Sequence, residues 1–85
     1  MAPGEAVNRI RDFVVRNYFV ADPKGLADDA SLIDHGIIDS TGVLELISFL
    51  ERDLGVRVAD EELVPDNLDS IARLGAFVAR KHAGS

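Results

Sequence analysis

The stretch "GIIDSTGVLELISFLE" occupies residues 36–51, where an apolar approach meets a long amphipathic run. Two apolar residues, Ile37 and Ile38, lead into an acid and a hydroxyl, Asp39 and Ser40. A long repeat follows. Val43, Ile47, Leu50 and Leu54 stand at i, i+4, i+7 and i+11, which is one stripe of an α-helix. Leu44 and Leu46 widen the apolar surface, while Glu45, Ser48, Glu51 and Arg52 fall largely off it. Gly55 suits the position just past a helix end. The spacing predicts a helix over Ser40–Leu54. Serine is a favoured N-cap, and Ser40 is placed to be one. Capping alone does not explain why two isoleucines pin the approach to it.

Working outward, "EAVNRIRDFVVRNYF" at residues 5–19 repeats Val7, Ile10 and Val14 at helical spacing, joined by Phe13 and Tyr18. Pro23 disfavours helix at Asp22 and ends this first segment. Residues 21–39 then form a long connection. Its apolar residues, Leu26, Leu32, Ile33, Ile37 and Ile38, argue that it packs on the core instead of waving free. Ser31 and Asp34 have capping-box spacing, which predicts one short helical turn. "VRV" at 56–58 alternates like a strand but is too short to pair alone. In "DEELVPDNLDS", residues 60–70, the part opened by Asp60, Glu61 and Glu62 suits a short helix, broken at Pro65. Asp69 or Ser70 caps a last helix with the stripe Ile71, Leu74 and Val78 and with Arg80 and Lys81 at its end. Gly84 and Ser85 are expected to fray. The fold class is all-α: a four-helix bundle of three main helices and a short third one, with a long loop between helices 1 and 2. Residues 1–85 read as one domain.

Composition narrows the function. The chain has 85 residues, 47% of them hydrophobic, enough for a modest core but not for a core plus a deep cleft. It has no cysteine, which removes disulfides, thiolate metal sites and cysteine nucleophiles together. Fifteen acidic against nine basic residues give a net charge of −6. Nucleic acid and anionic membrane are poor partners for such a surface, and a partner with a basic patch is a good one. The start has no basic and apolar leader pattern, and no run is long enough to span a membrane. A cytoplasmic monomer is expected, and the initiating Met and compact limits favour a stand-alone chain.

Ser40 does not read as a hydrolytic nucleophile. A nucleophile elbow needs Gly-x-Ser-x-Gly between a strand and a helix, and here the string is Ile38-Asp39-Ser40-Thr41-Gly42. Only His35 and His82 offer a base, and no sheet forms a pocket. Asp34, His35 and Asp39 are metal donors close in sequence, but their spacing fits no EF-hand or zinc pattern.

The same residues resemble the modification-site motif of acyl, aminoacyl and peptidyl carrier proteins, small four-helix bundles in which an Asp-Ser pair opens the second helix. The resemblance covers the whole layout: helix 1, long loop, Asp-Ser, amphipathic helix 2, short acidic segment, closing helix. It implies that a phosphopantetheinyl transferase joins the 4′-phosphopantetheine of coenzyme A to Ser40, with Asp39 meeting the transferase. It implies a non-enzymatic carrier whose helix 2 greets partners through Thr41, Leu44, Glu45, Ser48 and Glu51. Those partners would be an acyl- or aminoacyl-activating ligase and downstream synthase or transferase enzymes. Arg52 stands where many fatty-acid carriers have an acid, and Thr41 replaces a common leucine or methionine. The pattern is closer to stand-alone D-alanyl-type or secondary-metabolite carriers than to the fatty-acid synthase carrier. A different class of protein fits the same pattern: a helical interaction domain, related but unmodified, in which Ser40 is only an N-cap.

Overall fold

Apolar residues at helical spacing produce four α-helices in a computed structural model that describes residues 3–18 and 20–83. α1 spans Pro3–Asn17, α2 Ser40–Asp53, α3 Pro65–Leu68 and α4 Ile71–Ala83. No strand occurs among the described residues, so this is an all-α bundle of three substantial helices and one short one. The first helix was expected to reach residue 19, which lies outside the described residues, as do Gly84 and Ser85.

The core takes its residues from every element. Ile10 and Val14 of α1, Leu46 and Leu50 of α2, and Ile71, Leu74 and Val78 of α4 are essentially inaccessible to solvent. Phe49, which the main stripe omitted, is also buried and stacks on Phe13 with ring centroids 4.3 Å apart. Val43 and Ile47 are only partly buried, because the buried face of α2 is centred on Leu46, Phe49 and Leu50. Leu44 projects outward at 63% exposure. The connection from α1 to α2 contributes Leu26, Leu32 and Ile38 to the same core. Its Ser31–Asp34 turn is present: the Ser31 hydroxyl accepts the Asp34 N–H at 3.0 Å. Gly36 takes a φ of +69°, which side chains rarely adopt, and so redirects the chain toward Ile37.

Two sequence expectations need correction. Pro65 does not break a third helix but begins it. Proline at the first helical position lacks only an N–H that would have no partner there. It also holds Val64 extended. Asp60–Glu62 therefore forms only a 3₁₀ turn, closed by the Glu62 carboxylate on the Ala59 N–H at 2.9 Å. Lys81 of α4 binds the same Glu62 oxygen at 2.8 Å. That bond, then the Ala59 N–H, holds the Glu62 carboxyl below its usual range. The second concerns Ser40, which is the first residue of α2 and not its cap. Of the two candidate caps of α4, Ser70 is the one used, through its hydroxyl on the Arg73 N–H at 3.0 Å.

α4 packs closely on α1 because Gly75 leaves no side chain between them. A Cβ built there would collide with the Cγ2 of Val7. Valine is stiff at χ1 and cannot swing clear. Gly75→Val is expected to destabilise the bundle by about 1–3 kcal/mol through overpacking. Thermal unfolding measures this as a fall of roughly 4–8 °C per kcal/mol for a domain of this size. An unchanged midpoint would show that the helices are not held at this separation.

Candidate functional site

The turn that presents Ser40 is fixed from beneath. Ile38 is 3% exposed and points into the core, which sets the phase of the chain as it enters α2. Asp39 is extended, and its Oδ1 accepts the Gly42 N–H at 2.8 Å. Asp39, not Ser40, is thus the N-cap. Aspartate and serine are both good caps, and adjacent in sequence they compete for the role. The inward anchor at Ile38 decides it by placing the Asp39 carboxylate over the third N–H of the helix. Ser40 becomes the first helical residue. Its side chain is exposed, and its hydroxyl meets no hydrogen-bond partner among the described residues.

Tyr18 braces the first turn of α2. Its hydroxyl donates to the Gly42 carbonyl at 2.9 Å and lies 3.4 Å from Glu45 Oε2. Burial, then the Glu45 and Asp39 carboxylates, pushes the Tyr18 phenol above its usual range. Gly42 is small for a reason visible here. A Cβ would stand 3.1 Å from the Tyr18 ring and 3.3 Å from Ile38.

Thr41, Leu44, Glu45, Ser48 and Glu51 all lie on the exposed face of α2 that begins at Ser40. Two of these are tied within the chain: Glu45 faces Tyr18, and Glu51 accepts the Val58 N–H at 3.1 Å. Neither histidine makes a hydrogen bond to Ser40. His35 Nδ1 lies 2.8 Å from the Ser31 carbonyl, and His82 Nε2 lies 2.8 Å from the Leu54 carbonyl. No metal-binding cluster of His, Asp and Glu forms among the described residues. Beside Ser40, Ile33, Ile38 and Val43 wall a shallow apolar cleft of about 370 Å³.

An exposed hydroxyl at the start of a 14-residue helix suits a phosphate ester, because unpaired N–H groups and the helix dipole favour negative charge there. The family model for the phosphopantetheine attachment site matches residues 9–78. The chain belongs to this phosphopantetheine-attachment family. Covalently attached 4′-phosphopantetheine is therefore its cofactor, and its role is to tether acyl groups on that arm. No curated protein matches it in sequence. The residues present fit the phosphopantetheine group. Ser40 offers an uncommitted hydroxyl, the helix start offers N–H donors, and the cleft beside it offers an apolar wall for the arm.

Sequence reasoning missed the brace of Tyr18, the Asp39 cap and a set of bonds made by Asp69 to the first connection. Tyr18 stood in a hydrophobic stripe and gave no sign of its polar contact. Asp39 was a cap residue type in the right place, so its role was within reach.

If Asp39 is the cap, Asp39→Ala should cost about 0.5–2 kcal/mol of stability. Asp39→Asn should retain most of it, because the amide oxygen accepts the same N–H. Ser40→Ala should change stability by less than about 0.5 kcal/mol, as surface changes do. Denaturant unfolding of the three variants tests this. A larger loss in Ser40→Ala than in Asp39→Ala would return the cap to Ser40.

Proposed function

We propose that Ser40 is the attachment serine, and that the protein carries acyl or aminoacyl groups to partner enzymes on its arm. The observation that carries the reading is the uncommitted Ser40 hydroxyl at the start of α2, with the capping role taken by Asp39. An interaction domain in which Ser40 merely caps a helix loses its rationale at that point. In the transfer, Ser40 Oγ attacks the phosphorus of coenzyme A next to the pantetheine. An O–P bond forms, the phosphoanhydride bond breaks, the adenosine bisphosphate leaves and the hydroxyl proton passes to a base of the transferase. The arm supplies a terminal thiol that holds cargo as a thioester. The chain's own residues do the remaining work: Ile38 and Tyr18 hold the turn, and Asp39 caps it. Asp39 has a second oxygen with no hydrogen-bond partner among the described residues, and this suits a metal ion or cation of the transferase.

The protein itself performs no chemistry in this reading. Tethering raises the effective concentration of cargo at each enzyme, as linking two binding events does. Partners are a phosphopantetheinyl transferase, a ligase that activates the acyl or aminoacyl group, and the enzymes that consume it. The match to "IIDS" with Gly42 favours D-alanyl-type or secondary-metabolite cargo. Partners meet the exposed face of α2 through Thr41, Leu44, Glu45, Ser48 and Glu51. No helix of the described residues is long and apolar enough to cross a membrane, and a cytoplasmic place of action accords with the lack of cysteine.

Treatment with coenzyme A and a promiscuous transferase should add one phosphopantetheinyl mass, located on Ser40 by peptide mass spectrometry. Ser40→Ala should abolish it while the fold persists. A label that survives in the alanine variant would place the arm elsewhere.

The acidic surface sets an electrostatic expectation. With a net charge of −6, reversal of Glu45 and Glu51 to lysine should slow association with the activating ligase more than it speeds dissociation. Added salt should reproduce part of the loss for the wild type. Unchanged association kinetics in the double variant would remove these two carboxylates from the docking face.

A further inference from the structure

Asp69 makes contacts that neither of its neighbouring helices requires. It lies between α3 and α4, where its N–H closes α3 on the Pro65 carbonyl at 2.9 Å. Its side chain turns away from both helices. Oδ2 accepts the Ser31 hydroxyl at 2.6 Å, and Oδ1 accepts the Ile33 N–H at 3.0 Å. Its carbonyl accepts the Leu32 N–H at 2.8 Å. One residue thus grips three consecutive residues of the connection that leads to Ser40. From there the bonds run forward. Ser31 accepts the Asp34 N–H on its hydroxyl and the His35 N–H on its carbonyl, at 3.0 and 3.1 Å. The Leu32 carbonyl accepts the N–H groups of Ile37 and Ile38 at 2.9 and 3.3 Å. Only Asp39 separates Ile38 from Ser40.

We propose that Asp69 is a positioning residue for phosphopantetheinyl transfer, its carboxylate setting the place of Ser40 by holding Ser31 and Ile33 on either side of Leu32, whose carbonyl in turn holds Ile38. This rests on the reading of Ser40 as the attachment serine. The carboxylate's bonds are charge-assisted and so stronger than neutral ones. They hold Ser31 and Ile33, which stand outside the buried core on either side of the buried Leu32. Loss of the carboxylate should therefore loosen the path to Ser40 more than the bundle. Transfer is sensitive to such loosening, since a misplacement of about 1 Å can cost roughly a hundred-fold in rate. Asparagine is a conservative test. Its oxygen still accepts the Ile33 N–H, and its amide can donate to the Ser31 hydroxyl.

The experiment measures initial rates of labelling by coenzyme A and a promiscuous transferase, with the full chain as varied substrate. Asp69→Ala is expected to lower kcat roughly ten-fold with KM within about two-fold of wild type, and Asp69→Asn to keep kcat within about three-fold. A carrier that is merely less stable behaves differently. Its unfolded fraction is absent substrate, so apparent KM rises and kcat stays. Amide exchange on the same proteins should quicken at Ile33, Ile37 and Ile38 in Asp69→Ala, and not at Val14 or Val78. If Asp69→Ala does not fold, Ser31→Ala removes one of the three contacts and should lower kcat about three-fold. Wild-type kcat in a folded Asp69→Ala or Ser31→Ala, or a change in KM alone, overturns the positioning role. Ser40→Ala, taking no label in the same assay, then leaves the attachment reading standing. A wild-type chain that takes no label at Ser40 overturns both.

Discussion

The arrangement around Ser40 depends on one residue in the connection before it. Leu32 is 1% exposed, so its side chain is locked in the core. Its N–H is held by the Asp69 carbonyl, and its own carbonyl receives the N–H groups of both Ile37 and Ile38. A buried backbone group must find such partners, because leaving it unpaired costs about as much as a lost hydrogen bond. The connection satisfies that demand around Leu32 with no α-helix or strand there, its one helical element being a 3₁₀ turn at Pro23–Gly25. A second tie reinforces it from another direction. The Asp28 carbonyl accepts the Ala72 N–H at 2.7 Å, one of the donors that the start of α4 leaves without an internal partner. Arg11 of α1 pairs with the Asp28 side chain. The long first loop is thus part of the packed body, and Ser40 stands on a fixed base.

That base resolves a conflict of charge. The start of α2 favours an anion, and under the proposed attachment two anionic groups compete for it: the Asp39 carboxylate and a phosphate on Ser40. The dipole contributes only about 0.3–1 kcal/mol at an exposed helix end. The geometry separates the competitors. Asp39 takes the Gly42 N–H, deep in the first turn, and the N–H groups of the two residues before Gly42 remain beside the Ser40 hydroxyl. Tyr18 contributes a neutral brace on the same turn, binding the Gly42 carbonyl without adding charge. A second carboxylate, Glu45, lies one turn further on and faces Tyr18.

The helices were legible in the sequence because a period of 3.6 is a local signal. The stripes of α1 and α4 could be read directly, as could the position of Asp39 and Ser40 at the head of α2. Where two local rules met, the sequence was ambiguous. Pro65 is both a helix breaker and a good first helical residue, and the extended Val64 shows which rule prevailed. Asp39 and Ser40 are both caps, and the choice was made by the burial of Ile38. The buried face of α2 was read one position out, along Val43 and Ile47 where Leu46 and Phe49 are the buried residues, because apolar character alone does not say which neighbour covers a side chain. What could not be read locally was the hold of Asp69 on Ser31 and Ile33, residues 38 and 36 positions away. No periodicity encodes such a contact. Asp69 looked like a helix cap because it stands beside one.

A carrier must be inert and yet be recognised by several enzymes, and the two needs pull on the same residues. Inertness asks that no base stand near Ser40. Both histidines are turned to backbone carbonyls elsewhere, and Tyr18 is held as a neutral phenol by burial and by its acidic neighbours. Recognition asks for a surface that meets each partner without rearranging. The proposed docking face, the exposed side of α2, suits that need because the helix is pinned at both ends: at the start by Asp39 and Tyr18, and at the end by Val56, whose N–H turns back to the Leu50 carbonyl at 3.4 Å. Glu51 adds a clasp from the helix to the segment that follows, through the Val58 N–H. A helix fixed in this way loses little conformational freedom on docking, so less of each contact's free energy goes into ordering the carrier. The motion a carrier needs then resides in the arm, and the rigidity resides in the chain that displays it.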